Sequence, residues 1–138
     1  EPDIAYAHLF SYFRGEEWRT QKETQRLLDK YFTTKPNGIP GNDDTGTMSA
    51  WAIFNMIGFY PDCPGLPEYT LTTPVFNKVT IRLDPKWYKE KELVIESNRT
   101  QPGTLYINKV LLNGKKFNQY RITHDELVHS QRILFDLK

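Results

Sequence analysis

The chain is 138 residues long and carries 18 Lys and Arg against 17 Asp and Glu, a formal net charge of +1. That balance, without any basic block or stripe, excludes a nucleic-acid binder read on charge, and no run of about 18 apolar residues could span a membrane. Apolar residues make up 38% and charged residues 25%, a globular rather than a disordered mix, and surface scaling gives roughly 7,500 Å² folded against roughly 23,500 Å² unfolded, enough burial for a real core.

From Ile4 to Phe13 the residues Ile4, Leu9, Phe10 and Phe13 recur at helical spacing. Gly15 interrupts, and Glu16-Glu17 places acid at the start of a second helix expected from Trp18 to about Phe32, with Trp18, Leu27, Leu28, Tyr31 and Phe32 facing inward. A loop rich in Pro, Gly, Asn and Asp follows from Thr33 to Gly46, a composition that excludes regular structure. A third helix is expected from Thr47 to Ile57, with Met48, Trp51, Phe54 or Ile53, and Ile57 on one face, ended by Gly58 and barred from resuming by Pro61.

After Pro67 the pattern becomes strand-like. Segments 69–73, 79–83, 93–97 and 105–112 are β-branched and partly alternating. Asn113-Gly114 is a hairpin turn leading to Lys115-Lys116-Phe117. A capped turn or short helix is expected at 123–127, and 133–137 reads as a last strand. The fold class is therefore α+β, with three helices and then a small antiparallel sheet or sandwich of five to seven strands. So many helical aromatics around a 14-residue polar loop suggest a piece of a larger helical assembly. The opening Glu1-Pro2-Asp3-Ile4 has no methionine and no leader-like stretch, which suggests a removed targeting segment or a cut from something longer.

The most chemically loaded segment is Gly41-Asn42-Asp43-Asp44-Thr45-Gly46. Its hard oxygens suit calcium, and a carboxylate there could serve as a general base. The simpler reading makes Asp44, Thr45 or Thr47 the cap of the third helix. The acid spacing is not that of an EF-hand. Adjacent carboxylates make a poor acid/base pair for glycoside cleavage, since inverting enzymes hold theirs about 6.5–9.5 Å apart across the bond; a base here needs its acid from elsewhere. The acids of Glu1-Pro2-Asp3 more simply complement a helix dipole. His8, His124 and His129 lack metal-ligand spacing and read as packing or surface groups. The single cysteine, Cys63, excludes an intrachain disulfide. Trp18, Trp51 and Trp87 could stack on sugar rings, although a helical core explains the first two more simply. Asn98-Arg99-Thr100 fits the N-glycosylation acceptor pattern, which is frequent by chance.

Several segments then occur in an order that carries a resemblance: Glu1-Pro2-Asp3-Ile4, Trp18-Arg19-Thr20-Gln21, Gly38 through Trp51, Gly58-Phe59-Tyr60-Pro61, Pro64-Gly65, Pro74-Val75-Phe76, Leu112-Asn113-Gly114 and Thr123-His124-Asp125. The sequence resembles the C-terminal part of glycoside hydrolase family 92, the exo-acting α-mannosidases of glycan-degrading bacteria. The resemblance implies that residues 1–66 supply the last helices of an (α/α)6 catalytic barrel and residues 67–138 a closing β domain. It implies a calcium-dependent, inverting enzyme that removes terminal α-linked, commonly α-1,2-linked, mannose from glycans and works in the periplasm, at the cell surface or after secretion. In this likeness Asp44 is the base that activates water, with Asp43 as runner-up. Asn42 and Glu1 belong to the calcium and sugar shell, and the general acid is a Glu upstream of the segment matching Glu1. The remainder of the same polypeptide is thus an implied partner, the isolated chain is expected to be inactive, and some of Trp18, Phe32 and Trp51 are expected to be exposed. Ala52 stands where the family generally has a bulky aromatic, and His129-Ser130-Gln131 replaces a usual glycine pair. The competing function class is a non-catalytic carbohydrate-binding or accessory module on the same scaffold.

Overall fold

The helical spacing near the start folds as a 3-10 helix, Tyr6–Tyr12, rather than an α-helix, in the computed structural model, which describes residues 3–138. At three residues per turn, side chains three apart eclipse one another. One ridge, Tyr6, Leu9 and Tyr12, therefore faces out at 60%, 48% and 51% exposure, while His8 and Ser11 face in.

Helix α1 spans Glu17–Tyr31 and α2 spans Thr47–Ile57. The inward face of α1 departs from expectation. Its buried residues are Thr20, Gln21, Thr24 and Leu28, while Trp18 and Tyr31 are exposed. The cause is the neighbour: α1 packs where a strand begins and its backbone donors need acceptors, so the Ile107 amide donates to Gln21 Oε1 at 2.9 Å. On α2, Trp51, Ala52 and Asn55 are buried. Phe54, not Ile53, turns toward the sheet core, and Ile53 stays exposed. Gly58 ends α2 at φ +118°, and a Cβ there would sit 2.8 Å from the Pro74 ring, so only glycine fits the turn.

Among the described residues eight strands follow: β1 (Phe59–Tyr60), β2 (Glu68–Leu71), β3 (Lys78–Arg82), β4 (Glu92–Arg99), β5 (Ile107–Leu112), β6 (Lys115–Phe117), β7 (Arg121–Thr123) and β8 (Arg132–Leu137). They form a three-stranded antiparallel sheet, β1-β2-β7, and a five-stranded sheet, β3-β4-β8-β5-β6. Every pair is antiparallel except β4 with β8, which run parallel. Strand β1 pairs with β2 through Phe59 opposite Leu71 and Tyr60 opposite Thr70. The 113–114 turn joins β5 to β6 with both residues left-handed, as a two-residue hairpin requires. A short helix α3, His124–Val128, opens with a full capping box: Thr123 accepts from the Glu126 amide and Glu126 accepts from the Thr123 amide.

The sheets enclose the main core, including Leu71, Leu93, Ile95, Ile122, Ile133, Phe135 and Leu137, each 2% exposed or less. A smaller helical core holds Leu28, Ala52 and Trp51, with Phe32 stacked on Trp51 at 5.4 Å. Trp51 is thus a core residue at 3% exposure and Phe32 is half-buried against it, whereas Trp18 is exposed.

Between helices and sheets lies a buried polar seam. His8 Nε2 meets Asn55 Oδ1 at 2.9 Å, and Thr72 Oγ1 donates to the Asn55 carbonyl at 3.2 Å. Asp62, its side chain 1% exposed, accepts from Thr70 Oγ1 at 2.8 Å and pairs with Arg121 at 3.3 Å. The same guanidinium donates to Thr70, Ser11 and Glu68 and lies 4.3 Å from the Tyr12 ring centre. Burial alone would raise the Asp62 carboxyl, but hydrogen bonds from Thr70 and Tyr12 and the Arg121 charge outweigh it and hold the group below the usual carboxylate range. Burial also dominates at His8 and pushes its imidazole below the ordinary value, against the Asn55 hydrogen bond.

Replacing Gln21 by Ala orphans the buried Ile107 amide, and urea denaturation should show a loss of about 1–3 kcal/mol. Asp62→Ala leaves the partly buried Arg121 with the more exposed Glu68 as its remaining carboxylate and should cost about 2 kcal/mol. His8 and Asp62 both bind protons more weakly in the folded state, so the unfolded state gains protons first and stability falls with pH. Melting temperature should therefore decline from about pH 6.5 downward through His8, and again below about pH 4 through Asp62. The first decline should flatten in His8→Gln; an unchanged slope there would remove His8 as its source.

Candidate functional site

The loop between α1 and α2 is tied down at its near end, where the Thr33 amide donates to the Gly38 carbonyl and the Gly38 amide to the Lys35 carbonyl, both at 2.9 Å. Its far end is conformationally unusual. Asp44, Thr45 and Gly46 are left-handed in succession, at φ +48°, +61° and +92°. Glycine adopts that region freely and Asp tolerates it, but a β-branched threonine is strained there. Backbone strain of this kind persists only where the surroundings enforce it, and it clusters at functional sites.

The left-handed run folds the chain back onto the helix it precedes. Asp43 Oδ1 accepts from the Ser49 amide at 2.8 Å and Oδ2 from the Ser49 hydroxyl at 2.9 Å. The Asp43 carbonyl also accepts from the Met48 amide at 3.2 Å. Asp43 therefore supplies the helix cap, satisfying a first-turn donor from three residues before the formal cap position, Gly46. This corrects the expectation that Asp44, Thr45 or Thr47 does so: the Thr47 hydroxyl points backward and donates to the Asp44 carbonyl at 2.7 Å.

Asp44 and Asn42 are exposed, and among the described residues their side chains make no hydrogen bond. Two neighbouring carboxylates are thus divided, one committed to the helix and one free for solvent or substrate. Glu1 lies outside the described residues. Ile4, from the same opening motif, reaches α2: the Trp51 indole donates to the Ile4 carbonyl at 2.9 Å. Asp3 lines a cavity of about 200 Å³ with Leu27, Tyr31, Phe32, Pro40 and Met48. That cavity joins the chain start, α1 and the loop, a convergence no local sequence signal gives.

As a calcium site the loop has the right donor type, hard oxygens from Asn42 and the carboxylates. Among the described residues, however, no three His, Cys, Asp or Glu side chains gather closely enough to hold an ion, so they do not close a calcium cage by themselves. The two histidines of the sheet region make local contacts. His124 Nδ1 meets the Tyr69 hydroxyl at 2.9 Å, and His129 Nδ1 meets the Asp125 carbonyl at 2.8 Å. Trp87 is 72% exposed. No described helix is long and apolar enough to cross a membrane.

Asp43→Ala should destabilise the protein by about 1 kcal/mol through the lost cap, read as a melting shift. Asp44→Asn, which keeps the tolerance for a left-handed backbone, should stay within about 0.5 kcal/mol. Equal shifts in the two variants would contradict the division of roles.

Comparison with known proteins places this geometry in a family. The sequence model of the glycosyl hydrolase family 92 catalytic domain matches residues 1–138. The structure of a family GH92 α-mannosidase from Bacteroides thetaiotaomicron in complex with mannoimidazole is 31% identical, with a TM-score of 0.90 over 100% of this chain and 18% of that one. An inverting mannosidase of the same family and species is 34% identical, with a TM-score of 0.86 over 100% of this chain and 18% of its own. A secreted glycosidase of Arthroderma benhamiae, otherwise uncharacterized, is 29% identical over 125 residues, 91% of this chain and 16% of that protein. The chain spans less than a fifth of the length of these relatives. With its whole length matched by the family and its fold superposing on the C-terminal region of family members, the chain belongs to glycosyl hydrolase family 92.

Proposed function

We propose that this chain supplies the base side of the active centre in an inverting exo-α-mannosidase that removes terminal α-linked mannose, commonly α-1,2-linked, from glycans. The observation that carries the reading is the division at the loop: Asp44 is exposed on a left-handed backbone, while Asp43 is held by Ser49. The names of the two Bacteroides relatives, an α-mannosidase and an inverting mannosidase, support the substrate and the stereochemistry.

In this reading the Asp44 carboxylate takes a proton from a water molecule. The water oxygen attacks the anomeric carbon from the face opposite the leaving group, the glycosidic C–O bond breaks, and a general acid protonates the departing oxygen. Asp43 is too close in sequence, and too committed to α2, to be that acid. The acid comes from the remainder of the polypeptide, across a gap of about 6.5–9.5 Å that leaves room for the water. Calcium, when bound, would polarise and orient the sugar's vicinal hydroxyls. Asn42 and Glu1 would contribute oxygens to it, with further ligands from the rest of the enzyme. A glycan substrate and the secreted Arthroderma relative fit action outside the cell.

The test is mannose release from an α-1,2-linked disaccharide by the full-length enzyme. Asp44→Asn should lower kcat by about 10²- to 10⁴-fold without lowering the melting temperature, chelator should abolish release and added calcium restore it, and the isolated chain should release none. An active Asp44→Asn beside an inactive Asp43→Asn would move the base to Asp43.

A further inference from the structure

We infer that Asn98 is an N-glycan acceptor when the protein passes through a eukaryotic secretory route. Asn98-Arg99-Thr100 is the single Asn-X-Ser/Thr sequence in the chain, and neither its middle nor its following residue is proline. A sequence match alone is weak; the geometry adds what it lacks.

Side chains alternate along β4, so Leu93, Ile95 and Ser97 are buried while Asn98 is exposed on the opposite face. Arg99 then turns back and fastens the strand end: its guanidinium donates to the Thr104 carbonyl at 3.1 Å and to the Pro74 and Val75 carbonyls. Thr100 opens an exposed turn through Gly103. Among the described residues neither the Asn98 amide nor the Thr100 hydroxyl makes a hydrogen bond, so modification breaks no contact. On the β8 side the outer face beside Asn98 carries polar groups, with Glu96 paired to Arg132 at 2.6 Å and Asp136 opposite Asn98 in the ladder.

Transfer occurs on the chain before it folds, so the fold decides whether the product is tolerated. In the transfer, Asn98 Nδ2 forms a bond to the anomeric carbon of a lipid-pyrophosphate-linked oligosaccharide. The bond from that carbon to the phosphate oxygen breaks, the lipid pyrophosphate leaves, and the amide proton passes to a base of the host transferase. No residue of the proposed mannosidase centre takes part, so this site stands or falls independently of that reading.

The experiment is secretion of the full-length polypeptide containing this chain from a eukaryotic host. Glycans are released by a glycan amidase in ¹⁸O-water, and mass spectrometry then follows the tryptic peptide of residues 92–99. The expected result is ¹⁸O-labelled Asp at position 98 in most of the secreted, folded protein. Asn98→Gln and Thr100→Ala should each lose one glycan's mobility shift, and Thr100→Ser should retain it. Unmodified Asn98 in the secreted protein overturns the inference, as does modified Asn98 found only in retained, aggregated material.

Discussion

Arg121 is the side chain through which the helical and sheet parts of this molecule hold one another. From β7 its guanidinium reaches Asp62 after β1, Thr70 and Glu68 on β2, and Ser11 and Tyr12 on the 3-10 helix. Asp62 is almost wholly removed from water, a burial that is tolerable only because its oxygens are met by hydroxyl and guanidinium donors. The seam continues through His8, Asn55 and Gln21, so the helices sit on the sheets by directional bonds as well as by grease. Hydrophobic contact alone would tolerate sliding, whereas a set of paired polar groups at fixed positions does not.

That fixed seating matters at the loop. α2 is held from behind by Asn55 and Trp51, and its first turn in turn holds Asp43. With Asp43 clamped, three left-handed residues leave Asp44 no route but outward. The two carboxylates differ by one position and have opposite fates because backbone handedness, not side-chain chemistry, separates them.

Much of this was legible in the sequence where the signal is local. The bounds of α2 follow from the loop composition before Thr47 and from Gly58 after Ile57, the hairpin from Asn113-Gly114, and the α3 start from its capping box. What failed to show was set by distant partners. The polar inward face of α1 makes sense only once Ile107 is placed against Gln21. Strands of two or three residues, β1 and β7, have no pattern of their own and exist because β2 lies between them. The Asp43 cap escaped a rule that looks for a side chain at the cap position, since here it comes from three residues earlier. The glycosidase resemblance rests on residue order, while the convergence of Asp3, Pro40 and Met48 on one cavity is a property of the folded chain.

The five-stranded sheet has its own consequence. β8, the last of its five strands in chain order, lies at the centre, parallel to β4 on one side and antiparallel to β5 on the other. Until it emerges from the ribosome, the sheet exists only as two separate ribbons, β3-β4 and β5-β6, each with an unpaired edge facing the gap that β8 will fill. Two-stranded ribbons are marginal in water, and open edges invite the wrong neighbour. The sheet thus closes like a seam whose final stitch is in the middle: without β8 the whole sheet stays unassembled, not merely its margin frayed.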